Sequence, residues 1–482
     1  MRSHNLLSTL AVISAAACST DEPTAAVDHQ LRPSFSSSQE RVAICHQSGW
    51  GAGYLEVAQP ALKGHLGHGD YVTTLVVSHD AAQTGDGVHF VRIGDALGAA
   101  RAGRLDRGEL AEAACRITIA VAAGVYNGTV TGQPFDDIDR FPLIVDVPDI
   151  TLRGALVMGL DEAGRATGDA TGGVATTLRP VEPLPNIAGS QTPIIIANAH
   201  PGGSAGNGLS VEGFVFESGH APPASHGGIG VLSMRVVGLT IRGNRFSAFL
   251  DGVDLRAGNA DVAQNLFATN DDCDICLAGP GRFSATGNRI LESGIAGIIA
   301  GTVISLPLPS AVEPYALAAT SETWAEIRNN EVRDHRRIPV GVGIRLDALG
   351  VGAPNVHGVV HAVIQDNLLV NNRFGMMLHA GFPVAGTDRT SNVDVTLGDN
   401  VIQQSCQAKL LVALSRHQTA LGLNANTSLL NSTYQLSLGG HVDWNDVWFA
   451  HAAGFGNTLI VDGQTIANGS RQFYSAAGCP GL

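Results

Sequence analysis

Six short segments of this chain repeat one pattern around an asparagine: two strand residues, a glycine or polar residue, the asparagine, any residue, and an apolar residue. The segments are IRGNRF at 241–246, VAQNLF at 262–267, ATGNRI at 285–290, IRNNEV at 327–332, IQDNLL at 364–369 and LGDNVI at 397–402. The first two intervals, of 21 and 23 residues, each fit one coil of a solenoid. The later intervals, of 42, 37 and 33 residues, require either an extra coil or a loop, and residues 302–323 look like such an insertion.

The asparagines of the repeat suggest how the coils stack. They are Asn244, Asn265, Asn288, Asn330, Asn367 and Asn400, and a variant segment at 211–216 has Phe214 in their place. We expect each asparagine to lie at a bend, where it tolerates a left-handed φ. Stacked at ~4.8 Å, the side chains can hydrogen-bond along the axis as a ladder. The repeat therefore predicts an all-β fold, a right-handed parallel β-helix.

A second strand follows the asparagine at a fairly constant distance in five coils. These strands are GVDLR at 252–256, DICLA at 274–278, GIIAG at 297–301, GIRLD at 343–347 and GMMLH at 375–379. Alternation predicts that two rows of apolar residues point inward: Val253, Ile275, Ile298, Ile344 and Met376, then Leu255, Leu277, Ala300, Leu346 and Leu378. One coil cannot bury such a row alone, so neighbouring coils must supply the core.

Composition agrees with short stacked strands and limits the partners. Charged residues make up only 15% of the chain, and 59 of 482 residues are glycine, both of which disfavour long surface helices. The formal net charge is −14. Nucleic acid and anionic membranes need a basic face, and the sequence contains none, so we expect membrane contact only through a lipid anchor.

The N-terminus has the features of an export signal. Arg2 and His4 precede an apolar run from Leu6 to Ala17, which is too short for a permanent membrane anchor. Its end resembles a bacterial lipobox, in which Cys18 would be lipidated; cleavage without lipid is the alternative. We therefore expect an outer-membrane or periplasmic lipoprotein, or a secreted protein. Outside Cys18, six cysteines remain, and Cys406 with Cys479 and Cys273 with Cys276 are candidate disulfide pairs.

Two segments resemble a known family. ITIAVAAGVYNGTV at 117–130, leading to FPLIVDVPDITLRGA at 141–155, is similar to the DUF1565-type opening of the pectin-lyase-like β-helix superfamily, and GDGVHFVRIGDALGAARAG at 85–103 is similar to its N-terminal strand and capping helix. The resemblance covers about residues 85–415 and implies parallel β-helix repeats with a helix over about 93–114 across the open end. It does not imply an activity, because lyases, hydrolases, esterases, epimerases, adhesins and inert shafts share this fold.

A separate segment at 42–72 is similar to a small CH…HLxHGD module that is appended to secreted bacterial proteins. Cys45, His46, His65 and His68 are candidate ligands of a structural Zn²⁺. In the alternative, which we favour, Cys45 pairs with Cys115 and the histidines cap turns.

The densest carboxylate cluster supplies the candidate catalytic residues, Asp271, Asp272 and Asp274. A Ca²⁺-dependent lyase needs several acidic oxygens beside an arginine base, and a glycosidase needs two carboxyl groups at ~5–9 Å. The same residues are also typical of a turn after a strand. Against a catalytic groove, the outward positions of the second strand are apolar or small in its middle coils, which suggests a covering loop. Asp254 with Arg256 and Arg345 with Asp347 are predicted to form surface ion pairs.

Candidate glycan-binding residues are Arg256 and the run His335, Arg336 and Arg337, since charge-assisted bonds can hold an acidic sugar. A solvated basic turn is the alternative that we favour for the run. The Asn-Thr-Asp and Gly-His-Gly motifs expected of a polygalacturonase are absent from the sequence. Four aromatic residues near the end are predicted to cover the last coil rather than to stack on sugars: Trp444, Trp448, Phe449 and Phe455.

The sequence thus predicts an exported, lipid-anchored β-helix protein that interacts with carbohydrate and has no recognisable catalytic motif. The alternatives are a polysaccharide lyase or glycoside hydrolase, and a structural or adhesive shaft. Ca²⁺ and Zn²⁺ are the candidate cofactors. The predicted segments are a signal peptide (1–18), a flexible tether (19–40), the Cys/His module (41–80), the N-terminal strand and capping helix (81–116), the β-helix (117–438) and a C-terminal cap (439–482).

Overall fold

The computed structural model describes most of the region from residue 41 to residue 466. The described residues are 41–48, 51–80, 86–105, 115–129, 138–170, 172–184, 192–198, 206–220, 227–302, 320–336, 341–348, 357–380, 391–405, 408–414, 433–437, 447–450, 458–461 and 464–466. The predicted signal peptide, Cys18 and the tether lie outside them, as do Arg337, Cys406, Cys479, Trp444 and Phe455.

The elements are numbered here in chain order. The N-terminal ones are β1 (Arg41–Ser48), β2 (Gly51–Ala58), α1 (Gln59–Gly67), β3 (Tyr71–Val72), β4 (Thr74–Val77), β5 (His89–Phe90) and α2 (Ile93–Leu105). Next come β6 (Ile117–Val121), β7 (Gly124–Thr129), β8 (Asp139–Arg140), β9 (Leu143–Val145), β10 (Ile150–Arg153), β11 (Met158–Leu160), β12 (Ala166–Asp169), β13 (Thr176–Pro180), β14 (Pro193–Asn198), β15 (Ser210–Glu212) and β16 (Phe214–Glu217). The middle coils contain β17 (Ile229–Arg242), β18 (Arg245–Ser247), β19 (Asp251–Ala263), β20 (Leu266–Ala268), β21 (Cys273–Thr286), β22 (Arg289–Leu291), β23 (Ala296–Gly301), β24 (Thr320–Arg328) and β25 (Glu331–Arg333). The remaining strands are β26 (Val342–Ala348), β27 (His357–Gln365), β28 (Leu368–Val370), β29 (Phe374–Ala380), β30 (Ser391–Gly398), β31 (Val401–Gln403), β32 (Ala408–Leu414), β33 (Thr433–Ser437), β34 (Val447–Ala450), β35 (Thr458–Val461) and β36 (Gln464–Ile466).

Stacked parallel strands form the body of the chain, which is a right-handed parallel β-helix as predicted. A coil contributes one strand to each of three faces. The first face contains β9, β14, the first halves of β17, β19 and β21, then β23, β26, β29, β32 and β34. The second face contains β4, β6, β10, β15, the second halves of β17, β19 and β21, then β24, β27, β30, β33 and β35. The third face contains β7, β13, β16, β18, β20, β22, β25, β28 and β31.

The core lies between these faces. The predicted inward rows of the first face pair in register from coil to coil, as in Val253 with Ile275 and Ile298 with Ile344, and all ten side chains are at most 1% exposed. On the third face, the rings of Phe216, Phe246 and Phe267 stack with centroids 4.6 and 4.9 Å apart. Alternation along each strand therefore predicted correctly which side chains of the first face point into the core.

The six asparagines form a buried ladder between the second and third faces. The backbone N–H of each of the first five donates to the Oδ1 of the next asparagine in the ladder, as from Asn244 to Asn265 (2.9 Å) and from Asn288 to Asn330 (3.0 Å). Adjacent asparagines bond directly even across 42, 37 and 33 residues. The longer intervals therefore add no extra coil to the ladder.

The backbone at this corner differs from the expectation. The left-handed residue is the one before each asparagine, with φ between 51° and 65° at Gly243, Gln264, Gly287, Asn329, Asp366 and Asp399. The prediction that the asparagine itself takes the left-handed φ was wrong. Its buried amide is needed for the hydrogen bonds between coils, and the preceding residue makes the bend.

The N-terminal end is covered by two substructures. Strands β1, β2 and β3 form an antiparallel sheet, and α2 packs on the first coil with Ile93, Ala96 and Leu97 buried. The carboxylate of Asp139 accepts the backbone N–H groups of Ile93 (3.0 Å) and Gly94 (2.8 Å) at the start of α2. No helix in the described ranges has the length and apolar character needed to cross a bilayer.

Candidate functional site

The outward side of the first face is buried, although it could have served as a catalytic surface. Its outward residues are at most 7% exposed: Asp254, Cys276, Ile299, Arg345 and Met377 in one row, and Arg256, Ala278 and Asp347 in the next. Cys273 and Cys276 form a disulfide within β21 on this face. A polymer in solution cannot reach these side chains in this structure.

Two ion pairs lie on the covered face. Arg256 Nη2 lies 2.5 Å from Asp254 Oδ2, and Arg345 Nε lies 2.8 Å from Asp347 Oδ2. The side chains are 3% and 1% exposed in the first pair, and 8% and 6% exposed in the second. The pairs form as predicted, but the expectation that they lie on the surface was wrong, and Arg256 is committed to Asp254 rather than open to a glycan.

The three candidate catalytic aspartates do not converge on one site. Asp274 points into the interior, where its Oδ1 accepts Asn270 Nδ2 at 2.6 Å and its Oδ2 lies 3.6 Å from His335 Nε2. Burial raises the pKa of Asp274, against the opposing effect of His335. Asp271 and Asp272, by contrast, are half-buried, and Asp272 interacts with charged groups of the first face.

Asp272 has the most informative electrostatics of the three. Burial, with smaller contributions from Asp254, Asp271 and Asp347, raises its pKa to about 6 against the opposing effect of Arg345. Burial also raises the pKa of the neighbouring Asp251, with Asp272 and Asp254 adding to the effect. A carboxyl group with such a pKa can hold a proton near neutral pH beside an ionised neighbour, which is a requirement of a general acid.

The predicted basic run is divided by the structure. His335 is fully buried, and its Nδ1 lies 3.0 Å from Asn372 Oδ1. Arg336 is half-buried and donates to the carbonyl oxygens of Asn371 (2.9 Å) and Gln404 (3.2 Å). His335 therefore belongs to the interior, and both the glycan-binding and the solvated-turn predictions were wrong for it.

The Cys/His set is also rearranged. Cys45 forms a disulfide with Cys115, which removes its thiolate as a ligand. His46 and His65 both lie against Asp70, a residue that the sequence reasoning missed. His68 is exposed at the C-terminal end of α1.

The outward side of the second face is open to solvent. Side chains from six successive coils line a groove with a volume of about 740 Å³. One row contains Asn259, Arg282, Trp324, His361 and Asp394, and the other contains Thr240, Asp261, Ser284, Glu326, Val363 and Thr396. All of these residues are exposed or half-buried. We refer to this site as the second-face groove.

The centre of the second-face groove is a stack of three side chains. The Arg282 guanidinium carbon lies 5.2 Å from the centroid of the Trp324 ring, and the His361 ring stacks on Trp324 with centroids 4.0 Å apart. These partners cover the two faces of the indole, while Trp324 as a whole remains 41% exposed. The stack therefore presents its edge to the solvent.

Carboxylates hold His361 from both sides. Its Nε2 lies 3.0 Å from Glu322 Oε1, and its Nδ1 lies 3.3 Å from Asp394 Oδ2. Further along the groove, Asp261 accepts a hydrogen bond from Ser284, and Glu326 pairs with Arg328. The groove is lined by three carboxylates and two guanidinium groups, those of Asp261, Glu326, Asp394, Arg282 and Arg328.

The sequence contains a signal for this groove at a fixed offset from the ladder asparagines. In each coil the two lining residues lie six and four positions before the ladder asparagine, as with Trp324 and Glu326 before Asn330. These residues belong to the strand before the asparagine, whereas the outward positions considered in the sequence belong to the second strand after it.

Comparisons with known proteins add no assignment of activity. No family model and no curated protein matches the chain. A mannuronan C-5 epimerase A-module from Azotobacter vinelandii is 14% identical with a TM-score of 0.32, and the match covers 75% of this chain and 90% of the epimerase module. An exopolygalacturonase from Thermotoga maritima is 9% identical with a TM-score of 0.32, and the match covers 77% of this chain and 88% of the exopolygalacturonase. A tailspike protein of Acinetobacter baumannii bacteriophage Fri1, a capsular polysaccharide depolymerase, is 8% identical with a TM-score of 0.29, covering 89% and 69%. Similarities at this level carry no argument about function.

Proposed function

We propose that this chain binds a polysaccharide in the second-face groove. The observation that carries the proposal is the row of polar and aromatic side chains that six successive coils present to solvent. The outward side of the first face is buried over the same coils, so the second face offers the accessible chemistry.

The shape of the groove suits a linear polymer. Adjacent coils are ~4.8 Å apart, so six coils span about 24 Å along the axis. A groove of about 740 Å³ lies within the ~300–1,000 Å³ of typical ligand sites. Its two rows of side chains are exposed or half-buried over all six coils, which suits a chain that lies along the axis.

The chemistry of the groove suits sugar hydroxyl groups. Carboxylates accept hydrogen bonds and guanidinium groups donate them, and both make charge-assisted bonds with a neutral hydroxyl. The exposed edge of the Arg282–Trp324–His361 stack supplies an apolar surface between these polar groups. Because Asp261, Glu326 and Asp394 outnumber Arg282 and Arg328 in the lining, we propose a neutral polysaccharide rather than a polyuronate.

The N-terminal sequence supports a location where such polymers occur. The apolar run before Cys18 and the polar segment that follows suit an exported protein held to a membrane by a lipid on Cys18. Export and the lipid anchor are part of the proposal.

The test is retention of the purified protein on a panel of neutral and acidic polysaccharides, with Trp324→Ala as the probe variant. We expect retention on a neutral polymer and at least a tenfold weakening in Trp324→Ala, about 1.4 kcal/mol. Tyr54→Ala is the matched control, because Tyr54 is an aromatic residue with 64% exposure on β2, away from the groove. Retention on no polymer, or equal retention of Trp324→Ala and wild type, would rule the proposal out.

A glycoside hydrolase or lyase is the second candidate, and the raised pKa of Asp272 beside Asp271 favours it. The burial of Asp254 and Arg256 next to these groups argues against access of a polymer. Release of reducing or unsaturated ends from the same panel, lost in Asp272→Asn, would support the enzyme. A structural shaft would show neither retention nor release.

A further inference from the structure

We infer that His46, His65 and Asp70 form a binding site for a first-row transition metal ion such as Zn²⁺. The site lies in the N-terminal module, and it does not depend on the proposed glycan groove. It differs from the Zn²⁺ site expected from the sequence, since Asp70 takes the role expected of Cys45 and His68 is not included.

Three ligand groups from three segments converge. Asp70 Oδ2 lies 2.9 Å from His46 Nδ1 and 2.8 Å from His65 Nδ1. The two imidazole rings are nearly perpendicular, with centroids 5.8 Å apart. Histidine nitrogens and carboxylate oxygens are the ligands that Zn²⁺ accepts in sites with an open position.

The spacing is close to that of a loaded site. Zn²⁺ binds histidine nitrogen and carboxylate oxygen at ~2.0–2.2 Å, which puts ligand atoms about 3.3 Å apart in a tetrahedron. The observed separations from the oxygen are shorter by roughly half an ångström, and small side-chain rotations supply that difference. The metal would replace the protons through which the two rings now bond to the carboxylate.

The burial pattern suits an ion that enters from solvent. The Asp70 side chain is 1% exposed and forms the floor, whereas the side chains of His46 and His65 are 44% and 29% exposed. A buried carboxylate between two imidazoles offers the negative charge that a divalent cation needs. The exposed side leaves the remaining coordination positions to water.

The backbone holds the ligands in place. Cys45, next to His46, is bonded to Cys115, and the hydroxyl of Tyr71, next to Asp70, donates to the carbonyl of Cys115 at 3.2 Å. The backbone N–H of Asp70 donates to the His65 carbonyl at 3.2 Å. The disulfide that excludes Cys45 as a ligand thus fixes its neighbour, and a site whose ligands are held before binding loses less entropy on loading.

The experiment titrates Zn²⁺ into the full-length, oxidised protein after chelator treatment, by calorimetry and by competition with a chromophoric chelator. We expect one equivalent to bind, and we expect His46→Gln, His65→Gln and Asp70→Asn each to weaken binding at least tenfold. His68→Gln is the matched control, because this neighbouring histidine is exposed, and it should bind as the wild type does. Loading with Co²⁺ should give visible d–d bands that His46→Gln abolishes.

Loss of binding through unfolding is separated from loss of a ligand by the denaturation midpoint of each apo variant. His46→Gln is decisive, since its side chain is 44% exposed and its replacement should leave the fold intact. Absence of Zn²⁺ binding by the wild type would overturn the inference, as would His46→Gln binding at wild-type strength or His68→Gln losing as much affinity as His65→Gln. Asp70 would then act only as a hydrogen-bond acceptor between β1 and α1.

Discussion

Replacing one asparagine at the centre of the ladder tests the account of how the coils are held together. In Asn288→Ala, four hydrogen bonds are lost. The Oδ1 of Asn288 accepts the backbone N–H and the Nδ2 of Asn265 at 3.0 and 3.1 Å. Its Nδ2 donates to the Val262 carbonyl at 2.8 Å and to Asn330 Oδ1 at 2.9 Å. All of these groups lie in a corner where water is excluded, because Asn265, Asn288 and Asn330 are fully buried.

The expected cost follows from the groups that lose a partner. Asn265 Nδ2 keeps its bond to the Ile241 carbonyl, and Asn330 Oδ1 keeps the backbone N–H of residue 288. The Asn265 N–H loses its partner, and the Val262 carbonyl loses one hydrogen bond. A buried group left without a partner costs about 1–3 kcal/mol and a lost hydrogen bond about 0.5–1.5 kcal/mol, so we expect the free energy of unfolding to fall by about 1.5–4.5 kcal/mol.

The measurement is equilibrium denaturation in urea, with the change taken from the midpoint at constant slope. Asn259→Ala is the matched control. Its Oδ1 accepts the Arg282 N–H at 3.1 Å between the same two coils, but at an exposed position. We expect the control to lose no more than about 1 kcal/mol. Equal losses in the two variants would refute the claim that buried amide bonds join the coils.

Two further predictions concern titration and crosslinking. The raised pKa of Asp272, about 6, means that between pH 4 and 6 the folded chain holds a proton which the unfolded chain has released. The free energy of unfolding should therefore fall as pH rises through this window, and Asp272→Asn should reduce that fall by on the order of 2 kcal/mol. Denaturation midpoints at pH 4, 5, 6 and 7 measure the effect. Identical pH profiles of variant and wild type would contradict the assignment. Removing the Cys45–Cys115 disulfide, whose cysteines are 70 residues apart, should cost about 4 kcal/mol by loop entropy. Urea midpoints of the oxidised wild type and the Cys45→Ser/Cys115→Ser variant measure this cost, and a loss below 1 kcal/mol would show that the crosslink constrains little.

The fold could be predicted because its determinants are local and repeated. A coil contains one asparagine and one alternating strand after it, so the inward residues Val253, Ile275 and Ile298 follow from counting along the chain. The prediction for the corner itself was wrong, because it assigned the left-handed bend to the ladder asparagine. Gly243 and Gln264 make the bend instead.

The candidate sites depend on contacts that counting does not reveal. His335 lies 3.6 Å from Asp274 although 61 residues separate them in the sequence. Asp70 meets His46 because β1 pairs with β3. The second-face groove is partly predictable from the sequence. Its two rows keep a fixed offset from the ladder asparagines, but that offset does not indicate whether the face is open to solvent.

The ladder also has a direction, because every backbone N–H in it donates toward the C-terminal neighbour, from Phe214 to Asn244 and finally from Asn367 to Asn400. A coil therefore completes its own bonding only when its successor is in place. The stability of each coil therefore depends on the interface with its neighbour as well as on its own interactions, and the ladder makes that dependence run toward the C-terminal side.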